Sequence, residues 1–255
     1  MIVISLQSGS NGNCLYVESR GIRLLVDAGI SARQAEDRLL ARGREICGID
    51  ALLISHDHTD HTRSMGTFQR KFSLPVYITE KTLSAVRHRT RLGKVSDIQS
   101  FIAGDSIQLA HVTVETLPTP HDGVDGVGFV IDDGERRLGV LTDLGHVFDG
   151  LSDVLKTLDA IVIESNYDPA MLERGGYPEH LKQRIRGPGG HLSNRESAEL
   201  LSSLSAGSLQ WACLAHLSEK NNAPELAIQT HRKLCGNELM LYVASRYQAS
   251  ECIEV

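Results

Sequence analysis

Short apolar runs recur along the whole chain, and most of them end in turns rich in glycine, proline, asparagine or aspartate. Runs of this length, either apolar throughout or alternating with polar residues, predict buried or half-buried β-strands. We predict strands at residues 2–6, 14–18, 22–26, 51–55, 74–78, 106–109, 111–117, 127–131, 137–141, 160–164, 209–214 and 238–243.

Amphipathic stretches with helical spacing separate many of these strands. We predict helices at residues 32–41, 62–71, 79–91, 169–174, 178–186, 195–204 and 224–234. Ser31 is placed to cap the first helix, which has Ala35, Leu39 and Leu40 on its predicted inner face. Strands that alternate with helices predict an α/β fold in which helices cover the sheets. Because no low-complexity linker divides the chain, we expect a single domain over residues 1–255.

Composition and charge narrow the class of protein. With 255 residues, 41% of them hydrophobic and 23% charged, the chain has the composition of an ordinary globular protein. The net charge of −6 argues against a generally basic surface, although a local basic strip around bound metals is compatible with nucleic acid. Five scattered cysteines without a CxxC pair, an N-terminus without a basic lead, and the lack of a membrane-spanning run predict a cytoplasmic location.

The densest candidate chemistry directly follows one predicted buried strand, in the run His56-Asp57-His58-Thr59-Asp60-His61. Neutral imidazole nitrogens and carboxylate oxygens are suitable ligands for zinc, iron or manganese. A solvated polar loop is the alternative, but such a density of histidine and aspartate is rare by chance. We therefore predict a metal site in this run.

Further titratable residues lie at or just after the ends of other predicted strands. They are Asp27, His121, Asp143, Glu164 and His216. Each of them alone has a structural alternative, such as a hydrogen-bonded core histidine. Because α/β folds build their sites in the loops at one edge of a sheet, we expect these residues to converge with the histidine cluster.

Taken in order, these residues resemble the pattern of the metallo-β-lactamase superfamily across the whole chain. The resemblance implies a four-layer αβ/βα sandwich, with two mixed β-sheets and outer helices, that holds two divalent metal ions, zinc or manganese. The implied ligands are His56, His58 and His121 for the first metal, Asp60, His61 and His216 for the second, and Asp143 as the bridge. In this pattern Asp27 supports the cluster by hydrogen bonding to a ligating histidine.

Several further motifs resemble the bacterial YycJ/WalJ group within that superfamily. They are Ser8-Gly-Ser-Asn-Gly-Asn-Cys14, Glu164-Ser-Asn166, Tyr177-Pro178, Leu181-Lys-x-Arg-Ile185, Gly190-His-Leu-Ser-Asn194 and His216-Leu-Ser218 with Asn221-Asn222. Members of that group are described as DNA exonucleases that act from the 5′ end. The resemblance therefore implies a 5′-to-3′ DNA exonuclease whose partner is nucleic acid, without membrane contact.

Glu164 and His191 are also similar to the Glu and His pair of ribonuclease Z, in which the histidine protonates the leaving oxygen. The resemblance implies that a hydroxide shared by the two metals attacks phosphorus. Asp60 would orient this nucleophile or accept its proton, and His191, held by Glu164, would act as the general acid. An ordinary loop residue near a helix N-cap is the alternative for His191.

Polar residues close to His191 in sequence are candidates for contacts with neighbouring phosphates. They are Asn166, Lys182, Arg184, Arg186, Ser193 and Asn194. Because Lys182 and Arg186 share one helical face and Arg184 lies on another, a solvated surface is the alternative for these cations. The glycine turn at residues 8–13 also has two interpretations, a cradle for phosphate and a tight hairpin turn.

Two other classes of function stay open at the level of sequence. A small-molecule hydrolase could use the same metals on a cyclic phosphodiester, a thioester or a lactone. The aromatic content of only 5% is compatible with this class, because single-stranded nucleic acids are often bound on aromatic stacking platforms. A non-catalytic module that keeps the fold is the third class, and the complete set of metal ligands argues against it.

Overall fold

The computed structural model describes residues 1–204 and 209–255 of the chain. The described residues form two compact units. The first unit comprises Met1–Pro118, Gly123–Glu135 and Ser245–Val255, and the second comprises Thr119–Asp122 and Arg136–Ala244. The single domain over residues 1–255 stays a prediction.

Strands and helices alternate along the described residues, and the strands belong to two mixed β-sheets. The strands are β1 (Ile2–Gln7), β2 (Cys14–Ser19), β3 (Ile22–Val26), β4 (Ala51–Leu53), β5 (Val76–Thr79), β6 (Ile98–Phe101), β7 (Ser106–Leu109), β8 (Val112–Pro118), β9 (Val127–Asp132), β10 (Arg137–Leu141), β11 (Ala160–Glu164), β12 (Trp211–Ala215), β13 (Met240–Val243) and β14 (Ile253–Glu254). The helices are α1 (Ala32–Leu40), α2 (Thr59–Thr62), α3 (Met65–Phe72), α4 (Glu80–Arg89), α5 (Leu151–Leu155), α6 (Pro169–Arg174), α7 (Glu179–Arg186), α8 (Asn194–Ser202) and α9 (Pro224–Cys235).

The first unit contains a seven-stranded sheet in the order β14-β1-β2-β3-β4-β5-β6. Its strands β1, β2 and β3 are antiparallel, whereas β3, β4, β5 and β6 are parallel. Because the carboxyl ends of parallel strands meet at one edge, the residues that follow β3 and β4 become neighbours. Asp27 follows β3 directly, and its backbone N–H donates to the carbonyl of Leu53, 2.8 Å away at the end of β4.

Apolar residues of the strands and of the covering helices form the core of the first unit. Leu25, Leu52 and Phe68 are fully buried, as is Leu39 of α1. The prediction that Leu40 also faces the core is wrong, because its side chain lies outside and is 57% exposed. Successive helical residues point about 100° apart, and Leu39 already occupies the direction toward the sheet.

The helix predicted at residues 62–71 is found as α3, but α3 begins only at Met65, after a break that separates it from α2. At the break the N–H of Ser64 donates to the carbonyl of Ala28, 3.0 Å away in the loop after β3. The N–H of Ala28 in turn donates to the carbonyl of His61 over 2.7 Å. These two hydrogen bonds tie the histidine cluster to the loop after β3. The hydrophobic pattern also does not predict β6, β14 or α5, which are short.

The second unit contains four parallel strands in the order β10-β11-β12-β13. All residues of β11 and β12 are buried, which explains why both strands are apolar except for the terminal Glu164 of β11. Glu164 is the last residue of β11 and stands in register with Ala215 of β12. Asp143 follows β10 and His216 follows β12, so three titratable side chains begin at the same edge of these parallel strands.

Two further features are the membrane-spanning potential of the helices and the state of the cysteines. Among the described residues, no helix combines the length and the apolar character needed to cross a membrane. The five cysteines all lie within the described residues, and all are free thiols. Burial raises the pKa of Cys213 to about 12, so this thiol stays protonated at neutral pH.

Candidate metal centre

Three imidazole rings converge in the first unit just after β4. The rings of His56 and His58 have centroids 4.6 Å apart, and those of His56 and His61 are 4.1 Å apart. His56 and His61 are buried, and His58 is half-buried. Clusters of imidazoles this close are suited to holding a divalent cation, because each ring offers a nitrogen lone pair.

Asp27 fixes the orientation of one of these rings. Its Oδ2 lies 2.7 Å from Nδ1 of His61, and its Oδ1 accepts the backbone N–H of Ser55 over 2.9 Å. The carboxylate is buried, and its residue adopts a left-handed backbone with φ of 65°. An imidazole that donates Nδ1–H to a carboxylate presents its Nε2 lone pair to a metal. The geometry in the first unit therefore fits the supporting role that the family pattern implies for Asp27.

The contact with Asn13 also indicates that Nε2 of His61 carries the lone pair. The Asn13 side-chain oxygen accepts the N–H of Gly9 over 2.7 Å, which fixes the direction of its amide. Its Nδ2, which can only donate, then lies 2.9 Å from Nε2 of His61 and 3.2 Å from Oδ2 of Asp60. The protonated nitrogen of His61 is thus Nδ1, and Nε2 is the acceptor.

The glycine turn at residues 8–13 uses its own amides internally. The N–H of Gly9 binds the Asn13 side chain, and the N–H of Gly12 donates to the carbonyl of Gly9 over 2.8 Å. These two amides are therefore engaged within the turn, which favours the tight turn over the phosphate cradle. The turn serves to place Asn13 beside the histidine cluster.

Replacing Asp27 with asparagine is expected to weaken zinc or manganese binding about 10- to 100-fold, the usual effect of losing a carboxylate that orients a ligating histidine. Asparagine has a similar shape and tolerates the left-handed backbone at this position. Competition with a chromogenic chelator measures the affinity, and Asp37→Asn on the exposed face of α1 is the matched control. An affinity within about twofold of the wild-type value would contradict this role.

A second cluster lies within the second unit, and four titratable residues form it. Asp143, Glu164, His191 and His216 each offer a ligand atom, and these atoms all lie within 4.8 Å of one another. Nδ1 of His216 lies 3.3 Å from Oδ1 of Asp143, and Nε2 of His121 lies 3.7 Å from the same oxygen. The second unit by itself therefore gathers imidazole and carboxylate ligands around Asp143.

Glu164 is the centre of the hydrogen bonding in this second cluster. Its Oε1 lies 2.7 Å from Nδ1 of His191 and 3.1 Å from Nδ1 of His216. Its Oε2 accepts the backbone N–H groups of Leu144 and Leu192. Complete burial alone would raise the pKa of the Glu164 carboxyl, but the charge and hydrogen bond of His191 and the hydrogen bond of His216 outweigh burial and lower that pKa. The group is therefore a carboxylate that holds two imidazoles by their Nδ1 atoms.

His121 shows the same arrangement with a backbone acceptor. Its Nδ1 lies 2.9 Å from the carbonyl of Gly190, which leaves Nε2 directed toward Asp143. In His61, His121 and His216 the Nδ1 atom is held by an oxygen, and Nε2 is the nitrogen available to a metal.

Strained backbone marks several candidate ligands or their supports. Asp27, Asp143 and His216 have φ values of 65°, 58° and 56°, a region that residues other than glycine enter rarely. The glycine two residues after each aspartate is required by close packing. A Cβ on Gly29 would stand 1.6 Å from the carbonyl oxygen of Asp60, and one on Gly145 would stand 2.1 Å from that of Pro188. The Asp-x-Gly pattern is therefore a sequence signal for these tight strand-end loops.

The basic side chains of α7 have partners within the second unit. Lys182 Nζ donates to the carbonyl of Glu173 over 2.5 Å, and Arg186 pairs with the carboxylate of the same residue over 2.8 Å. Arg184 pairs with Asp122 over 2.6 Å. A phosphate would have to compete with this carbonyl and these carboxylates, and contacts between the three cations and substrate stay a prediction.

Three other predicted substrate contacts lie in the scaffold beside His216. Asn166 is buried, and its Nδ2 donates to the carbonyl of His216 over 2.8 Å. The Ser193 hydroxyl caps α8, and the amide of Asn194 bonds that of Asn222 over 2.9 Å. Their positions next to the cluster are clear, whereas contact with phosphate stays a prediction.

Sequence reasoning misses two residues that hold the clusters. Asn13 contacts Asp60 and His61, and Asn222 donates to the carbonyls of Ser165 and Asn166. Both asparagines lie in motifs that are visible in the sequence, but their partners are distant along the chain. The composition of both clusters, neutral imidazole nitrogen and carboxylate oxygen, fits zinc or manganese and does not choose between them.

Comparison with known proteins identifies the family. A family model described as the beta-lactamase superfamily domain matches residues 22–212. The chain is 37% identical over 224 residues to the exodeoxyribonuclease YycJ of Bacillus anthracis, covering 87% of this chain and 84% of that protein. It is 35% identical over 227 residues to the exodeoxyribonuclease WalJ of Streptococcus pneumoniae, covering 88% and 84%. The chain belongs to the metallo-β-lactamase superfamily.

A solved structure supports the same conclusion about the fold. The metallo-β-lactamase fold protein YhfI of Bacillus subtilis superposes with a TM-score of 0.74 at 15% identity, over 98% of each chain. The predicted α/β sandwich class, with two mixed sheets and helices, is confirmed. Membership of the metallo-β-lactamase superfamily makes the protein a metal-dependent hydrolase that binds divalent metal.

Proposed function

We propose that the protein is a two-metal phosphodiesterase that acts on nucleic acid, and specifically a 5′-to-3′ DNA exonuclease. The observation that carries the chemistry is the buried Glu164 carboxylate, which holds the partly exposed His191 at 2.7 Å. The choice of substrate is supported by the two relatives named exodeoxyribonucleases, since each is matched over 84% of its length.

The proposed ligands follow the family pattern. His56, His58 and His121 would hold one ion, Asp60, His61 and His216 the other, and Asp143 would bridge. In each unit, the observed hydrogen bonds to Nδ1 of His61, His121 and His216 support the use of their Nε2 atoms. When bound, two divalent ions offset negative charge on the phosphate and lower the pKa of water held between them.

His191 is proposed as the general acid. The Glu164 carboxylate accepts Nδ1–H, so the second ring nitrogen, Nε2, is the one that can carry a proton toward the leaving oxygen. Its side chain is 17% exposed, whereas Glu164 is fully buried. A histidine anchored by a buried carboxylate and open on its other side is suited to passing a proton to substrate.

Asp60 is proposed to orient the attacking water and to accept its proton. Its Oδ2 lies 3.2 Å from the amide of Asn13 and 3.6 Å from Nε2 of His61. The side chain is 19% exposed, so one face of the carboxylate reaches solvent while the other is fixed by Asn13.

The proposed phosphate contacts are Lys182, Arg184, Arg186, Asn166, Ser193 and Asn194. The single domain and the cytoplasmic location belong to the same proposal.

Single-stranded and double-stranded DNA and RNA, each with added Mn²⁺ or Zn²⁺, test this function. Wild-type protein is expected to degrade DNA, and Asp60→Ala is expected to lower the rate by at least about 10²-fold, because it removes a metal ligand and a proton acceptor together. Asp37→Ala on α1 is the matched control. Intact DNA under all conditions, or equal rates for Asp60→Ala and the control, would contradict the proposal, and turnover of a thioester or lactone instead would favour a small-molecule hydrolase.

A further inference from the structure

A polar cavity of about 440 Å³ lies in the first unit between the glycine turn, the start of α1 and the C-terminal segment. Three arginines line it, Arg38, Arg63 and Arg246, together with Tyr247. None of the described residues that line it is acidic. In a chain with a net charge of −6, a cavity with three guanidinium groups and no carboxylate is suited to an anion.

The three guanidinium groups differ in how they are held. Arg38 is fixed, because it donates to the carbonyls of Leu6 and Tyr247 over 2.9 and 2.6 Å. Arg246 lies against the glycine turn, since a Cβ on Gly9 would stand 2.5 Å from its Nη1. Arg63 is exposed, and its side chain makes no hydrogen bond or ion pair with any described residue. Arg63 can therefore turn to a phosphate without losing an internal contact.

Tyr247 adds a second recognition element beside the arginines. It is 65% exposed, which is unusual for a large aromatic side chain, and its backbone carbonyl is held by Arg38. An exposed aromatic ring next to guanidinium groups is the combination that binds a base and its phosphate. The cavity volume of about 440 Å³ lies within the usual range for small-molecule sites.

The walls of the cavity are the loops that also hold the first-unit histidine cluster. Arg63 is two residues after His61, and Ser64, which lines the cavity, donates to the carbonyl of Ala28 over 3.0 Å. Gly29 lines the cavity and packs directly on the backbone of Asp60. A ligand in the cavity would therefore contact the segments that carry candidate metal ligands.

We propose that this cavity binds a nucleotide of the substrate strand, with its phosphate on Arg63 and Arg246 and its base on Tyr247. The inference rests on the proposed function and deepens it, because it supplies a contact outside the cleaved bond. The phosphate can be the terminal group at a 5′ end or an internal group of the strand, and both have the chemistry that the arginines recognise.

Steady-state kinetics of the metal-loaded protein test the nucleotide site. Arg63→Ala is expected to raise KM for a DNA oligonucleotide about tenfold, which is the loss of one charge-assisted hydrogen bond, with kcat within about twofold. Tyr247→Ala is expected to raise KM several-fold, and Tyr247→Phe should restore it because the ring stays. Bis(p-nitrophenyl) phosphate has no nucleobase and no phosphate beyond the cleaved ester, so these variants should change KM for it much less than KM for DNA.

Arg33→Ala is the matched control, because Arg33 is an exposed arginine of α1 that does not line the cavity. A defect of Arg63→Ala limited to 5′-phosphorylated ends would assign the cavity to the terminal phosphate, and an equal defect with 5′-hydroxyl ends would assign it to an internal phosphate. If Arg63→Ala and Tyr247→Ala both keep KM within about twofold of Arg33→Ala, the site is refuted.

Binding of thymidine 5′-monophosphate, measured by calorimetry, separates this inference from the proposed function. If wild-type protein leaves DNA intact, the exonuclease proposal fails, but the cavity can still be tested by this titration. Weaker binding to Arg63→Ala and Arg246→Ala than to Arg33→Ala would support the cavity. Equal affinities for the three variants would overturn it.

Discussion

Replacing His191 with glutamine is expected to lower kcat for DNA cleavage by about 10²- to 10⁴-fold, the range for loss of a general acid. Glutamine can keep a hydrogen bond to Glu164 but cannot pass a proton to the leaving oxygen. The buried Glu164 carboxylate, 2.7 Å from Nδ1, orients the ring in the wild-type protein. The rate of nucleotide release, measured at saturating DNA, tests the expectation.

The leaving group distinguishes a proton donor from a merely structural histidine. Cleavage of bis(p-nitrophenyl) phosphate releases nitrophenolate, which leaves without protonation, so His191→Gln should keep most of this activity. His146→Gln is the matched control, because His146 is an exposed histidine of the second unit whose Nδ1 lies near the carbonyl of Pro188. Equal losses on both substrates would rule out His191 as the general acid.

Replacing Glu164 with glutamine is expected to damage both chemistry and metal binding. Glu164 is completely buried and accepts four N–H groups, two of them from His191 and His216. A glutamine amide would place donor hydrogens against some of these donors, which costs about 1–3 kcal/mol for a buried polar group without its partner. We expect kcat for DNA to fall at least about 10²-fold and metal affinity to fall about 10- to 100-fold.

Activity on DNA and on bis(p-nitrophenyl) phosphate distinguishes Glu164→Gln from His191→Gln. Because Glu164 also holds His216, its loss should lower turnover of bis(p-nitrophenyl) phosphate as well as DNA cleavage. Metal content by mass spectrometry and the thermal midpoint should fall in parallel, whereas Glu199→Gln on α8 serves as an exposed control. A Glu164→Gln protein with wild-type metal content and kcat within about threefold would contradict the role assigned to this carboxylate.

The candidate ligands could be located from the sequence because they lie in short loops that follow apolar runs. Parallel strands bring their carboxyl ends to one edge, so Asp143, Glu164 and His216 of the second unit were expected together and lie within 4.8 Å by their ligand atoms. The Asp-x-Gly pattern also signals backbone strain, since Asp27 and Asp143 both have positive φ. Strand periodicity and residue chemistry are local features of the sequence, so they are sufficient to locate these residues.

The contacts of Asn13 and Asn222 could not be predicted, because they join segments that are distant along the chain. Asn13 reaches His61, and Asn222 reaches Ser165, through loops whose conformations depend on the folded sheets. The hydrophobic pattern also wrongly places Leu40 on the buried face of α1. Adjacent residues of a helix point in different directions, so only Leu39 faces the core. The positions of these side chains depend on tertiary packing and cannot be derived from local periodicity.

The partners of the basic residues likewise depend on tertiary structure. Lys182 and Arg186 both turn to Glu173, and Arg184 turns to Asp122, so the cluster of cations in the sequence is partly neutralised in the fold. The arginine-lined cavity of the first unit draws Arg63 and Arg246 from positions far apart in the sequence. Charge along the chain is therefore a poor guide to which cations can meet phosphate.

The most direct test of the central claim follows a DNA strand labelled at its 5′ end. Protein stripped of metal should leave the strand intact, and added Mn²⁺ or Zn²⁺ should restore cleavage that releases the label as a mononucleotide from the earliest time points. A ladder of shortening labelled fragments, label released in the absence of metal, or an intact strand with every metal would contradict a metal-dependent exonuclease that acts from the 5′ end.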